Sequence, residues 1–251
     1  MSQITPDLSK ALSQAVAAYV RADYAEAVRW YRVAADQGDA QAQYNLGGMY
    51  ANGEGLPEND AEAVRWFRLA AGQGHAKAQF NLGVAYEIGK GVPQHDAEAV
   101  RWYRLAADQG HAKAQVNLGV MYADGTGVPQ NDAEAVRWFR LAADQGDAYA
   151  QYSLGNLHRN GKGVPQSDAE AVRWYWLAAD QGDAYSQYNL GLMYANGKGV
   201  PKNYVEAYKW WSLAAAQGDS NAVKARNIAR VTMTPAQIVE GQRLSAAWKP
   251  K

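Results

Sequence analysis

Residues 39–74 read DAQAQYNLGGMYANGEGLPENDAEAVRWFRLAAGQG. Within residues 40–52, Tyr44, Leu46, Met49 and Tyr50 stand at helical spacings. Gly53 offers the left-handed conformation that ends a helix. The loop GEGLPEN follows. Asp60 stands where an N-cap belongs, and Glu62 in the first turn suits the positive end of a helix dipole. Residues 61–72 then form a second helix that is expected to bury Ala63, Phe67 and Ala70, with Trp66 and Leu69 beside them. Gly74 is its stop. The stretch is therefore helix, Gly-Pro loop, helix, Gly turn.

Outward from this stretch, the same pattern repeats. Gln-Gly recurs with its glycine at Gly38, Gly74, Gly110, Gly146, Gly182 and Gly218, a period of 36 residues. Leu-Gly keeps step from Leu46-Gly47 to Leu190-Gly191, and Glu-Ala-Val-Arg-Trp keeps step from Trp30 to Trp174. A weaker copy ends at Trp210. Neither helix of a unit can hide its aromatic face alone, so neighbouring units must stack into a continuous core. The small residues Ala42, Gly47, Ala63, Ala70 and Ala71 allow close helix approach, and Trp and Tyr rings fill the remaining space. The organisation expected is an N-terminal segment, 1–38, of capping helices and a short first repeat. Five full repeats follow at 39–74, 75–110, 111–146, 147–182 and 183–218. Residues 219–251 form a helical cap in which Thr234-Pro235 starts the last helix, and Ile238, Leu244 and Trp248 cover the last repeat.

Composition narrows the function. The chain has 251 residues, with 25 Lys+Arg against 25 Asp+Glu. A chain with no net charge lacks the electrostatic footprint for nucleic acid or for an anionic membrane. The absence of cysteine removes disulfides, thiolate catalysis and thiolate metal sites. No apolar window of about 18 residues is present, so no membrane insertion is expected. The start, MSQITPDLSK, does not read as a secretory signal. The chain as written is expected in the cytoplasm, or in the periplasm or outside the cell if a leader has been removed.

Over residues 23–225 the motif Ala-Gln-Tyr-Asn-Leu-Gly-x-Met-Tyr, then Gly-x-Gly-Val-Pro, then Glu-Ala-x-x-Trp-Tyr-x-x-Ala-Ala-x-x-Gly resembles the Sel-one-like repeat family of bacterial and other proteins. That family is a longer-looped relative of tetratricopeptide repeats. The resemblance implies an all-α, right-handed α-α superhelix, a solenoid of about six two-helix repeats with a C-terminal helical cap. It also implies a concave face lined by first helices, and adaptor work on other proteins. Members described as β-lactamase-like are cysteine-rich, and this chain has none of those cysteines.

The residues that could carry chemistry have packing explanations. His75 and His111 are equivalent positions one repeat apart and read as exposed first-turn polar residues. Adjacent helices lie about 8–10 Å apart, too far to share one metal ion directly. Glu62-Arg65, Glu98-Arg101 and Glu134-Arg137 read as i,i+3 support for exposed helices, and Arg104-Asp108 as an i,i+4 pair. The Gly-x-Gly-Val-Pro loop follows a helix, so it is no phosphate cradle. No catalytic, cofactor or metal site is expected.

Binding residues are expected on the first helices. Asn45, Asn81, Asn117 and Asn189 precede the Leu-Gly pair. By resemblance to tetratricopeptide domains, that position faces the groove, where it can hydrogen-bond an extended peptide. Alternatively it serves the repeat's own inter-helix bonding. Comparing repeats with one another gives variable columns. One reads Gln41, Lys77, Lys113, Tyr149, Tyr185; the next reads Tyr44, Phe80, Val116, Tyr152, Tyr188; a third reads Gly48, Val84, Val120, Asn156, Leu192. The fourth contains Arg159. Repeat five departs most, with Ser153, His158, Arg159 and Trp176. The partner expected is another protein or an extended peptide, with weak end-to-end self-association as a further reading. The competing enzyme reading, a hydrolase using Ser153 and His158, places them about 140° apart on one helix, which is poor for a Ser-His hydrogen bond.

Overall fold

The computed structural model describes residues 7–250. Met1 and the reading of the chain's start, the first six residues of the 1–38 segment and Lys251 lie outside the described residues. The described residues form fourteen helices of 13 residues each and no strand. One compact unit, ending at Gln130, holds α1 (Leu8–Val20), α2 (Tyr24–Asp36), α3 (Ala40–Asn52), α4 (Asp60–Gly72), α5 (Ala76–Ile88), α6 (Asp96–Asp108) and α7 (Ala112–Asp124). A second unit, starting at Asn131, holds α8 (Asp132–Asp144), α9 (Ala148–Asn160), α10 (Asp168–Asp180), α11 (Ala184–Asn196), α12 (Tyr204–Ala216), α13 (Ser220–Thr232) and α14 (Pro235–Ala247). Within each unit, consecutive helices pack against one another, except at the end, where α13 and α14 both pack on α12.

Local chemistry sets the helix ends. The cap of α4 is Asn59 and not Asp60. Asn59 is extended, and its side chain accepts from Glu62 N at 3.1 Å, while Asp60 is already the first helical residue. Either residue type can cap, and the backbone chooses the one still outside the helix. Gly53 ends α3 with φ +68°, as expected. After α4, the amides of Gly74 and His75 bond back to Ala71 and Ala70.

Packing within a repeat depends on the Leu-Gly column. A Cβ on Gly47 would lie 2.7 Å from the Phe67 ring, and one on Gly191 would lie 2.5 Å from Trp211. The second helix thus presses an aromatic ring onto the bare backbone of the first. Packing between repeats depends on tryptophan. Trp66 joins the core formed by Ala34, Ala35, Leu46 and Met49, Trp102 joins Ala63, Phe67 and Leu82, and Trp210 joins Val172, Tyr175 and Met193. Each ring therefore sits at the junction between the second helix of the repeat before and the first helix of its own. Leu69 does not join it. It is exposed, because it lies about 160° round the helix from Phe67.

A glutamine ladder also links repeats. Buried Gln43, Gln79, Gln115, Gln151 and Gln187 each donate to a carbonyl in the last turn of the preceding helix, from Ala35 O at 3.1 Å through to Ala179 O at 3.1 Å. The Gln of a Gln-Gly pair then caps the ladder, Gln73 on Gln43 at 2.8 Å and Gln181 on Gln151 at 2.8 Å. Each of these carbonyls also accepts from the glycine amide of the Gln-Gly turn, so the glutamine takes its second lone pair and is buried without losing a hydrogen bond.

The Glu-Arg pairs at 62–65, 98–101 and 134–137 form at 3.2–3.3 Å on exposed faces. Arg104 does not form an ion pair with Asp108 among the described residues; its guanidinium donates to the Tyr122 hydroxyl on the next first helix. At the N-terminal end, the Arg21–Asp23 turn joins α1 to α2, and Ala11, Ala15 and Ala18 are buried against it. At the C-terminal end, Thr234 and Gln237 make a capping box with Pro235 in the first turn. Ile238 packs with Tyr208 and Trp211, and Trp248 packs with Trp210; Leu244 is half-buried.

Candidate functional site

At 100° per residue, positions 41, 45, 48 and 52 share one stripe of α3, and 77, 81, 84 and 88 share the matching stripe of α5. The stripe continues at 113, 117, 120 and 124 on α7. In the second unit the equivalent positions are 149, 153, 156 and 160 on α9, and 185, 189, 192 and 196 on α11. Most of the candidate residues fall on or beside these stripes.

In the first unit, Lys77 and Lys113 are exposed, and no hydrogen bond or ion pair holds either among the described residues. His75 and His111 are not free first-turn residues. They are N-caps, and their Nδ1 atoms accept from Ala78 N at 3.2 Å and Ala114 N at 3.3 Å. They are half-buried, with rings stacked on Tyr44 and Phe80 at 4.8 and 4.7 Å. Desolvation holds both imidazoles below the usual histidine range. Asn45 accepts from Gln41 at 2.9 Å, and Asn117 is hydrogen-bonded to Tyr103. Asn81 has no such partner and lines an open cavity.

In the second unit, Tyr149 and Tyr185 are 53% and 65% exposed. Ring contacts run from Phe139 to Tyr149 (6.5 Å), Tyr149 to Tyr152 (6.4 Å) and Tyr152 to Tyr185 (5.9 Å). Tyr188 is half-buried against the last repeat's core. Arg159 donates to Asn189 at 2.8 Å, and Asn189 itself donates to Tyr185 O at 2.9 Å. Asn189 is therefore buried, with both its amide oxygen and its amide nitrogen in hydrogen bonds within the unit. Beside them, Tyr175 donates to Asn156 at 2.7 Å, and burial pushes its phenol up to about 12.

His158 also lies off the exposed surface. It is 6% exposed and both ring nitrogens lack a hydrogen-bond partner. It occupies the column filled elsewhere by Tyr50, Tyr86, Tyr122 and Tyr194, which points toward the preceding second helix. No hydrogen bond joins it to Ser153 among the described residues, so the pair forms no nucleophile-base couple. Burial holds His158 below the usual histidine value of 6.5; the Glu170 charge opposes this, and Arg140 adds to it. The unfolded chain therefore takes up a proton more readily than the folded one. Stability from neutral His158 is complete above pH 6.5 and is lost as pH falls through the folded-state value. His75 and His111 act in the same direction, so the wild type alone does not isolate the effect. His158→Tyr, the residue of the other repeats, should give a melting temperature that falls less steeply below pH 6.5 than wild type. Parallel slopes would remove His158 from the acid response.

The glutamine ladder and the histidine caps are the roles that sequence reasoning missed. Their signals were present: Gln43 recurs every 36 residues, and His75 and His111 align with the cap positions Asp39, Asp147 and Asp183. No group of three or more His, Asp or Glu that could hold a metal ion occurs among the described residues. No helix among them is long and apolar enough to cross a membrane.

The Sel1 repeat model matches residues 17–39, 40–75, 76–111, 112–147, 148–183 and 184–219. Two solved structures resemble the chain along most of its length. One is c5321, a protective antigen present in uropathogenic Escherichia coli strains displaying an SLR fold, at TM-score 0.86 and 36% identity. The match covers 96% of this chain and 53% of c5321, so this chain spans about half the length of that protein. The other is a Sel1 repeat protein from Oxalobacter formigenes, at TM-score 0.83 and 34% identity, covering 94% of this chain and 98% of that one. A search of curated proteins finds no match. With six repeats matched in register and two similar solved structures sharing its helix pairs, the chain belongs to the Sel1 repeat family, an all-α repeat fold.

Proposed function

We propose that the chain is a non-catalytic scaffold that binds another protein through its first-helix stripes. The observation that carries this reading is the row of exposed tyrosines in the second unit. Tyr149 and Tyr185 occupy equivalent positions on α9 and α11, are linked through Tyr152, and each keeps more than half of its surface exposed. Tyrosine offers large amphipathic area at low entropic cost and is enriched where interfaces concentrate their energy. Arg159, in the last turn of α9, is already oriented by Asn189, so it can meet an acceptor without losing much side-chain freedom. Family membership supports the same reading, since stacked repeats build extended surfaces for protein partners. The hydrolase reading loses support, because His158 is buried and apart from Ser153.

Affinity capture from the native cell, followed by mass spectrometry, supplies a partner for the test. Tyr149→Ala combined with Tyr185→Ala should weaken that partner by about tenfold or more, the loss expected for interface tyrosines. Both rings are exposed, so helicity should be unchanged. A partner that binds the double variant as tightly as wild type would show that this row is not the docking face.

A further inference from the structure

Between α3 and α5 in the first unit lies a cavity of about 300 Å³. Tyr44, Phe67 and Ala85 are among its apolar walls, and Asn52 and Asn81 are among its polar lining. Its cause is visible in the repeat columns. Gly48 stands where other repeats carry Val84, Val120, Asn156 and Leu192, and a Cβ built on Gly48 meets nothing within 4 Å. The missing side chain leaves a mostly apolar hole at the lower end of ligand-pocket sizes, open to the stripe.

The same stripe is electrically polarised. Lys77 and Lys113 stand at its upper end with no partner among the described residues. In repeats beginning at Asp39, Asp147 and Asp183, the cap before the first helix is acidic and the column residue is Gln41, Tyr149 or Tyr185. In the two repeats that carry the lysines, the cap is His75 or His111. The carboxylate that could have neutralised each lysine is thus replaced by an imidazole that makes the same cap bond. At the lower end, Lys90 is held by Asp60 at 3.0 Å and Glu58 at 3.4 Å, one cation against two carboxylates. Between the two ends lies Asn81, which has no hydrogen-bond partner among the described residues, unlike Asn45, Asn117 and Asn189.

We propose that this stripe binds an extended peptide whose aliphatic side chain fills the cavity beside Gly48 while a carboxylate about three residues away meets Lys77 and Lys113. The spacing follows from the helix. Lys77 and Val84 are seven residues apart, about 10 Å along the axis, which an extended chain covers in about three residues. Asn81 then stands opposite the intervening peptide backbone, where its amide both donates and accepts. The proposal rests on the scaffold reading and names the ligand chemistry for the first unit.

Fluorescence polarisation with the full chain tests it. The probes are fluorescein-labelled octapeptides with Leu and Asp three positions apart, in both orders, with Leu→Ser and Asp→Lys controls. Wild type should bind one of the two Leu/Asp orders and neither control. Gly48→Leu has room for its side chain and should keep the fold, yet weaken the peptide at least tenfold. Lys77→Glu with Lys113→Glu should weaken it and favour the Lys control. If neither order binds wild type, or Gly48→Leu binds as well as wild type, the pocket assignment is overturned. It is equally overturned if Gly48→Leu abolishes a dimer of this chain while no peptide binds. The reading of the tyrosine row as docking face fails separately, when the captured partner ignores Tyr149 and Tyr185.

Discussion

Trp102→Ala is expected to destabilise the chain by about 3–5 kcal/mol, the range for deleting a buried large aromatic. Trp102 sits on α6, yet its ring completes the core of Ala63, Val64, Phe67 and Leu82 from α4 and α5. It is 8% exposed, its Nε1 donates to Glu98 at 3.1 Å, and the Arg101 guanidinium stacks over it at 5.0 Å. Alanine would leave a void at a junction between repeats. Each repeat gains its stability from its neighbours, so the loss should spread to α4 and α5 and spare distant helices. Urea unfolding followed by circular dichroism should show a lower midpoint, and hydrogen exchange should quicken in α4 and α5 first. Trp102→Phe, which keeps a ring, should cost less. An unchanged midpoint for Trp102→Ala would contradict the placement of the ring across the junction.

That placement was legible in the sequence because a tryptophan recurring every 36 residues cannot be hidden inside a two-helix unit. The helix over 40–52 was legible for a similar reason, since its apolar spacing and Gly53 agree. The start of α4 was less so. Asn59 and Asp60 are both good caps, adjacent, and only the backbone tells which one is still extended. Leu69 misled because hydrophobicity was read without its angle on the helix. The glutamine ladder was hidden for a different reason: Gln43 and Gln73 meet across 30 residues, and no local rule pairs them. His158 and Asn189 illustrate the limit for the binding stripe. Their columns mark them as candidates, but the surroundings of the first include Arg140 of α8 and Glu170 of α10, which no local pattern announces. Commitment of the second depends on Arg159, one repeat earlier. Which variable residues remain free is a property of the assembled repeats.

Gly163→Ala is expected to cost about 2–5 kcal/mol, summing a left-handed backbone penalty of about 1–2 and an overpacking penalty of about 1–3. Gly163 has φ +68°, and a Cβ there would lie 2.3 Å from the carbonyl oxygen of Asp132 and 2.7 Å from Ala133 N. Those atoms are the first turn of α8, fixed by the Asn131 cap, so they cannot yield as a flexible side chain would. Gly91 and Gly199 seat their loops in the same way on Asp60 and Asp168. Two other glycines separate the terms. Gly161 has φ +66° but would meet the Gln166 side chain at 3.1 Å, and Gly146 has φ +92° with nothing within 4 Å. Alanine at Gly163 should therefore lower the urea midpoint most, at Gly161 less, and at Gly146 least. Equal losses at all three would mean that only the backbone angle matters and that the loop does not dock. The expected order gives the long Gly-x-Gly-Val-Pro loop a purpose. It anchors each repeat on the second helix of the one before, 31 residues earlier at Gly163 and Asp132. The equivalent seating of Gly199 on Asp168 joins the repeats whose first helices carry Tyr149 and Tyr185. Gly199→Ala should thus weaken a partner that needs both tyrosines at once, even though Gly199 lies on neither first helix.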